Sequence, residues 1–392
     1  MKLDNLQELF YAKCMNIPRN YQNLDAYLEP NKVLVIYGPR QVGKTTLLQN
    51  YLSQTGLKYK LDSGDNLKTQ SIIESQDFGQ ILDYLSGYEL YAIDEAQRIS
   101  GIGMGLKIIV DQIPGINVIA TGSSSFELSG QIGEPLVGRK KTLTLYPVSQ
   151  SELTSIYNPF EIKEKLHDFL IYGSYPAILT ADLNKKTDLL EELVNSLLLK
   201  DILELEKVKG SKVLMDLLRL IAFQIGGEVS LSELGKQLGL DYKTVARYLD
   251  LFEKSFILYN LRGYSTNLRK EVTKKSKYYF YDNGIRNAVI SNFNPLNLRD
   301  DVGKLWENFM VAERLKTQEY RGIYANNFFW RTWDNQEVDW IEERDGGLFG
   351  YEFKFADQKS KGKLSFTKLY PKAEFQIVTT KNYLDFVGCN RF

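Results

Sequence analysis

Short apolar runs recur through the first 150 residues, and each ends at a glycine, an acid or a proline. Val33–Tyr37 runs into Gly38, Leu90–Ile93 into Asp94, Asn117–Thr121 into Gly122, and Thr142–Tyr146 into Pro147. A further short strand is expected at Leu57–Leu61, before Asp62-Ser63-Gly64-Asp65. Brief unbroken apolar segments are what strands covered on both faces require. Alternation with helical stretches such as Thr46–Leu52 predicts a parallel, doubly covered sheet.

Beyond Pro147 the pattern becomes helical over 150–208, broken at Tyr172-Gly173-Ser174-Tyr175-Pro176, with Leu189, Leu190, Leu193, Leu197 and Leu198 on one face of the second long helix. After a helix at 212–224, Ser230 and Glu233 have the spacing of a capping box, Gly239 ends that short helix, and Asp241 caps the next, Tyr242–Lys254. Two short helices joined by a glycine turn predict a helix-turn-helix, with Lys243, Thr244, Arg247 and Tyr248 on the exposed face of the second. Strands Phe256–Leu261 and Tyr278–Tyr281 then form a hairpin whose loop holds Arg262, Arg269, Lys270, Lys274, Lys275 and Lys277 against Glu271 alone. That makes a winged helix, a form that docks on nucleic acid or on protein; the basic wing favours nucleic acid. The last hundred residues read as helix 302–317, strand Phe328–Thr332, a second strand through Glu337–Ile341, a turn at Asp345-Gly346-Gly347 and strand Leu348–Phe355. The expected units are 1–148, 149–208, 209–290 and 291–392.

The chemistry starts at Gly38-Pro39-Arg40-Gln41-Val42-Gly43-Lys44-Thr45-Thr46, which lies between a strand and a helix. In that context G-x-x-x-x-G-K-T is a phosphate-binding loop. The glycines allow the backbone to turn its N–H groups on an anion, and the helix start adds its positive end. Lys44 is expected on the β- and γ-phosphates of a nucleoside triphosphate and Thr45 on Mg²⁺. Asp94 would complete the metal site, and Glu95 would orient and deprotonate the attacking water. Ser123 and Ser124, after the next strand, are candidates either for sensing the γ-phosphate or for capping a helix. Arg139, beside Gly138, is a candidate for stabilising the transferred phosphate from its own or a neighbouring subunit. Near the C-terminus, Glu307, Asp339, Glu352 and Lys354 have the composition of a site that holds Mg²⁺ (on Asp339 and Glu352) and activates water against a phosphodiester. Lys359, Lys361, Lys363, Lys368 and Lys372 follow as a basic run suited to a phosphate backbone.

Charge is balanced, 49 Lys+Arg against 49 Asp+Glu, so any nucleic-acid surface must be a local patch. Two cysteines, Cys14 and Cys389, make no disulfide framework, and the single histidine, His167, leaves no histidine zinc site or Ser-His-Asp triad in view. With no run of about 18 apolar residues, no membrane span is expected, and the acidic N-terminus lacks a signal-peptide core; a cytoplasmic setting is expected.

Taken together the motifs resemble those of bacterial and archaeal ATPases with an AAA+-type core, a helical lid, a winged helix and a C-terminal domain similar to restriction-endonuclease-like PD-(D/E)xK folds. The resemblance rests on residues 38–45, Asp94-Glu95-Ala96-Gln97, Thr121-Gly122-Ser123-Ser124, Gly138-Arg139, and Glu337-Val338-Asp339 through Glu352 and Lys354. One departure is Gly173-Ser174, where a Gly-Gly pair is expected. The resemblance implies an α/β fold and ATP hydrolysis at Lys44, Thr45, Asp94 and Glu95, with Arg139 as a finger or sensor. It maps the nuclease-like pattern onto Glu307, Asp339, Glu352 and Lys354. ATP and Mg²⁺ are the expected cofactors. The expected partners are duplex or branched DNA, a further copy of the chain, or, on the alternative reading, a protein bound by an ATP-dependent switch with a silent nuclease-like scaffold.

Overall fold

The computed structural model describes residues 17–122, 135–196, 211–264, 276–332, 334–356 and 362–389. Ser123 and Ser124, the wing tip at 265–275, Leu197, Leu198, Lys359 and Lys361 lie outside these residues.

Strand β1 (Val33–Tyr37) leads through the loop to helix α1 (Lys44–Leu52); β2 (Tyr59–Ser63), α2 (Leu67–Glu74), α3 (Phe78–Leu85), β3 (Leu90–Asp94), α4 (Ile102–Gln112), β4 (Asn117–Gly122) and β5 (Lys140–Thr144) follow. The five strands form one all-parallel sheet in the order β2-β3-β4-β1-β5. Val33 to Ile36 are buried on both faces, as the unbroken apolar run requires. Because β4 lies between β1 and β3, its C-terminal end falls between the phosphate loop and Asp94. Ahead of β1 the chain makes a 3₁₀ turn, Leu24–Tyr27.

Helices α5 (Leu166–Tyr172) and α6 (Leu183–Ser196) flank the glycine break; Leu190 and Leu193 are buried. Gly173 has φ 74°, and a Cβ there would lie 2.0 Å from the Asp282 carboxylate, whose Oδ2 accepts from the Ser174 amide at 2.7 Å. Helix α7 (Ser211–Phe223) and the short strand β6 (Glu228–Val229) precede α8 (Leu231–Leu238) and α9 (Tyr242–Lys254), two helices at the positions where the helix-turn-helix is expected. Gly239 takes the left-handed C-cap, and Asp241 accepts from the Thr244 amide at 3.0 Å. Ser230 is an N-cap without the expected side-chain hydrogen bond.

Strands β7 (Leu258–Gly263) and β8 (Ser276–Phe280) form the hairpin; helix α10 (Asn283–Val289) then leads to α11 (Val302–Arg321), β9 (Asn326–Arg331), β10 (Glu337–Arg344), β11 (Gly347–Phe353), α12 (Lys363–Leu369) and β12 (Glu374–Val378). Hairpin and C-terminal strands are one sheet, β12-β11-β10-β9-β7-β8-β6, joined by the parallel pairing of Arg262 with Phe328 and Gly263 with Phe329. The boundary expected at 290/291 is thus spanned by a sheet. Helix α11 is longer than predicted and buried nearly all round from Leu305 to Gln318. Among the described residues, no helix is long and apolar enough to cross a membrane.

Candidate nucleotide site and C-terminal carboxylate cluster

The loop 38–43 can wrap tightly because its glycines accept conformations other residues resist. Gly38 has φ 150°, and a Cβ there would lie 2.0 Å from the Leu145 carbonyl oxygen; Gly43, at φ 95°, caps α1. Lys44 is buried, its ammonium donating to the carbonyls of Gly38 at 2.9 Å and Pro39 at 2.7 Å. The Thr45 hydroxyl donates to Asp94 Oδ2 at 2.8 Å, and the Thr121 hydroxyl donates to Asp94 Oδ1. Thr121 also accepts the Glu95 amide at 3.2 Å, so the end of β4 fixes both acids. Glu95 stands at φ 52°, and the Gln97 amide donates to its Oε2 at 2.5 Å. The loop after β2 packs beneath it: the Gly64 amide donates to the Asp94 carbonyl at 2.7 Å.

Sequence reasoning missed Thr121 and Gln97 as site residues, although both lie within the quoted motifs; the signal was their place beside a strand end. Arg19 was also missed. It is buried and donates to Glu152 Oε1 at 3.0 Å, to the Tyr146 carbonyl at 2.6 Å and to the carbonyl of Val42 inside the loop. Beside it opens a cleft of about 460 Å³, lined by Ile17, Arg19, Gly43, Thr46, Asn50 and Pro176 among others. Arg139 is elsewhere. Its carbonyl accepts from the Val33 amide, and Lys140 pairs with Val33, so it sits at the N-terminal edge of the sheet. The loop leaves the opposite edge, about 20 Å away at a rise of about 3.3 Å per residue. Arg139 pairs with Asp111 at 2.5 Å and lies out of reach of its own chain's loop.

On α9, Tyr242, Lys243 and Arg247 are exposed and Thr244 is half-buried, whereas Tyr248 is 7% exposed. Tyr248 therefore does not belong to the expected outer face; it packs into the core that α9 shares with its neighbours. Lys277 is the larger departure. It is no wing-tip cation but a strand residue 1% exposed, pointing into the C-terminal unit.

There the ammonium of Lys277 lies 3.5 Å from Glu307 Oε1 and hydrogen-bonds Glu337 Oε1. The Tyr279 hydroxyl donates to Glu307 Oε1 at 2.6 Å. Carboxylate oxygens of Glu307, Glu337 and Asp339 come within 4.8 Å of one another. The buried Asp339 accepts the Phe353 amide at 2.8 Å; burial, then the charge of Glu307, pushes its carboxyl well above the usual carboxylate range. Glu352 pairs with Lys354 at 2.8 Å, just past the end of β11, and the charges of Asp339 and Glu307 also act on Lys354. The four predicted residues are thus brought together, with Glu337 and Lys277 added. Glu337 was legible as part of the quoted Glu-Val-Asp; Lys277 was not, because its neighbours in sequence made it look like one of a basic run. A divalent ion fits the oxygen spacing but not the occupancy, since an ammonium already bridges Glu307 and Glu337. Lys363, Lys368 and Lys372 are exposed.

Residues 30–154 match the family described as AAA domain, 163–296 that described as Domain of unknown function (DUF8612), and 302–390 that described as Domain of unknown function (DUF4143). An uncharacterized protein of Haemophilus influenzae is 28% identical over 71% of this chain and 74% of its own. Another, of Methanocaldococcus jannaschii, is 25% identical over 86% of this chain and 77% of its own. A solved structure, "Structural Basis for Katanin Self-Assembly", aligns with 42% of this chain and 55% of its own at 15% identity with a TM-score of 0.24, a likeness too slight to carry any argument. The match of residues 30–154 to an AAA domain supports a nucleotide-binding, ATPase-type function.

Proposed function

We propose that this chain is a Mg²⁺-dependent ATPase whose nucleotide state controls how its helix-turn-helix engages DNA. The observation that carries the ATPase reading is the convergence of Lys44, Thr45, Asp94 and Glu95 on one sheet edge, with Thr45 and Asp94 already in contact. On ATP binding, Lys44 exchanges the Gly38 and Pro39 carbonyls for phosphate oxygens. Thr45 and Asp94 would hold Mg²⁺, whose charge neutralises the phosphates. The cleft beside Arg19 has the size and the mixed lining to take the base and ribose. Glu95, once released by Gln97, accepts a proton from the attacking water. Arg139 faces outward at the far edge, so a role in phosphate transfer would be on a neighbouring copy's nucleotide.

The DNA part of the reading rests on exposed Lys243 and Arg247 at the start of α9 and on the basic composition of the hairpin loop. DNA cleavage is not included, because Lys277 fills the carboxylate cluster. Hydrolysis assays on the full chain test the reading. Lys44→Ala should lose ATP binding, whereas Glu95→Gln should keep it and lose turnover by about 10²–10⁴-fold. Normal turnover in Glu95→Gln removes the assignment. Turnover that no duplex, single-stranded or branched DNA alters, with no salt-sensitive binding isotherm, transfers the switch to a protein partner.

A further inference from the structure

The cluster of Glu307, Glu337 and Asp339 is assembled from two units of the fold. Glu307 comes from α11 and the other two from β10, while the cation among them is Lys277 of β8, in the helix-turn-helix hairpin. Every carboxylate is already committed. Glu307 takes the Lys277 ammonium and the Tyr279 hydroxyl; Glu337 takes Lys277, with Arg331 at 3.7 Å; Asp339 takes the Phe353 amide. The lysine is equally bound to its place. Its head group lies 5.2 Å from the centre of the Phe329 ring, and its backbone is held between Leu261 of β7 and Glu228 of β6. Next to it, Asn308 of α11 clamps Phe280 of β8 from both sides, accepting its amide at 2.7 Å and donating to its carbonyl at 3.1 Å. Removing this ammonium would leave the half-buried Glu307 and Glu337 facing each other beside the buried Asp339, and withdrawing it from the acids would leave a buried, unpaired lysine; either is costly.

We propose that Lys277 is the built-in cation of this cluster. It locks the helix-turn-helix hairpin onto the C-terminal unit and excludes a divalent metal ion from the carboxylates. The cluster is then a joint between units. A divalent ion needs about six oxygen ligands free of competing donors, and here Lys277 and Tyr279 present donors to the oxygens it would need.

The test is Mn²⁺ binding to the full chain, read by electron paramagnetic resonance without nucleotide. Wild type, Asp339→Asn, Asp94→Asn, Lys277→Met and the Lys277→Met/Asp339→Asn double variant are compared. Any ion lost in Asp94→Asn belongs to the nucleotide site, so the failure of that reading and of this one are separable. Wild type should hold no ion that Asp339→Asn removes. Lys277→Met should gain one that the added Asp339→Asn removes, with affinity at least about tenfold above wild type. A wild-type Mn²⁺ that vanishes in Asp339→Asn overturns the proposal, and so does a folded Lys277→Met that gains none. If Lys277→Met does not fold, the wild-type and Asp339→Asn pair decides alone.

Discussion

At the scale of single residues, the geometry proposed for hydrolysis depends on a glycine with no chemistry of its own. A Cβ on Gly64 would lie 2.1 Å from the carbonyl oxygen of Glu95, and the obstacle is backbone, which cannot swing aside. Gly64→Ala must therefore displace Glu95 while leaving the loop at 38–45 intact. Turnover is expected to fall by up to about 10²-fold, the scale on which an ångström of misplacement acts, with ATP affinity kept; fluorescent-nucleotide binding beside steady-state hydrolysis checks it. Glu253 gives a residue-level effect on stability. It accepts from Asn260 at 3.2 Å, and burial pushes its carboxyl up to about 7, with Asp250 adding to the rise and Asn260 and Arg262 opposing it. The folded chain keeps this proton where the unfolded chain has released it, so the contribution is present below about pH 4.5 and is lost as pH rises through 7. The Tm of Glu253→Gln should thus fall less between pH 5 and 7.5 than that of wild type.

Among the elements, legibility in sequence divides by where the partner groups come from. The strand–loop–helix around Lys44, the left-handed cap at Gly239 and the Asp241 cap are set by neighbours in sequence, and the pattern shows them. Helix α11 is the opposite case. Its charges Glu313, Arg314 and Lys316 carry no sign in the sequence of what covers them, yet all three are buried with partners supplied partly from far along the chain. Arg314 donates to both oxygens of Glu342, at 2.5 and 2.8 Å, while Lys316 meets Glu313 at 2.7 Å and the Val148 carbonyl at 3.2 Å. The same reason hid Lys277 and the burial of Tyr248, since periodicity gives a face but not what covers it. Removing Arg314 should cost about 3 kcal/mol, because the buried Glu342 is then left with Arg344, at 3.0 Å, as its remaining counter-charge. Arg314→Met in urea titrations should show that loss, and Arg314→Met/Glu342→Met should recover much of it.

In the whole molecule, the sites are joined by packing as well as by chain. Tyr37 at the end of β1 lies 6.3 Å from Phe256, just past α9, which in turn meets Tyr146 and Tyr281 at 6.2 and 5.7 Å. From α11, Tyr320 accepts the Tyr146 amide at 3.2 Å, and Glu319 accepts that of Thr144 at 3.0 Å. Arg19 bonds both to the phosphate loop and, at 3.4 Å, to the Tyr320 hydroxyl. The C-terminal unit cannot leave this arrangement without exposing the apolar residues around α11 and the edge of β9 that pairs with β7. Residues 302–392 expressed alone should therefore be unfolded, giving a collapsed amide spectrum by nuclear magnetic resonance. The intact chain should melt in one calorimetric transition, including the C-terminal tryptophans Trp306 and Trp340, which are fully buried. A nucleotide analogue with Mg²⁺ at a hundred times its Kd should raise that whole transition, since it adds about 2.7 kcal/mol to the folded state. A dispersed spectrum from 302–392, or a nucleotide shift confined to the first of two transitions, would mean that the C-terminal unit folds independently of the ATPase core.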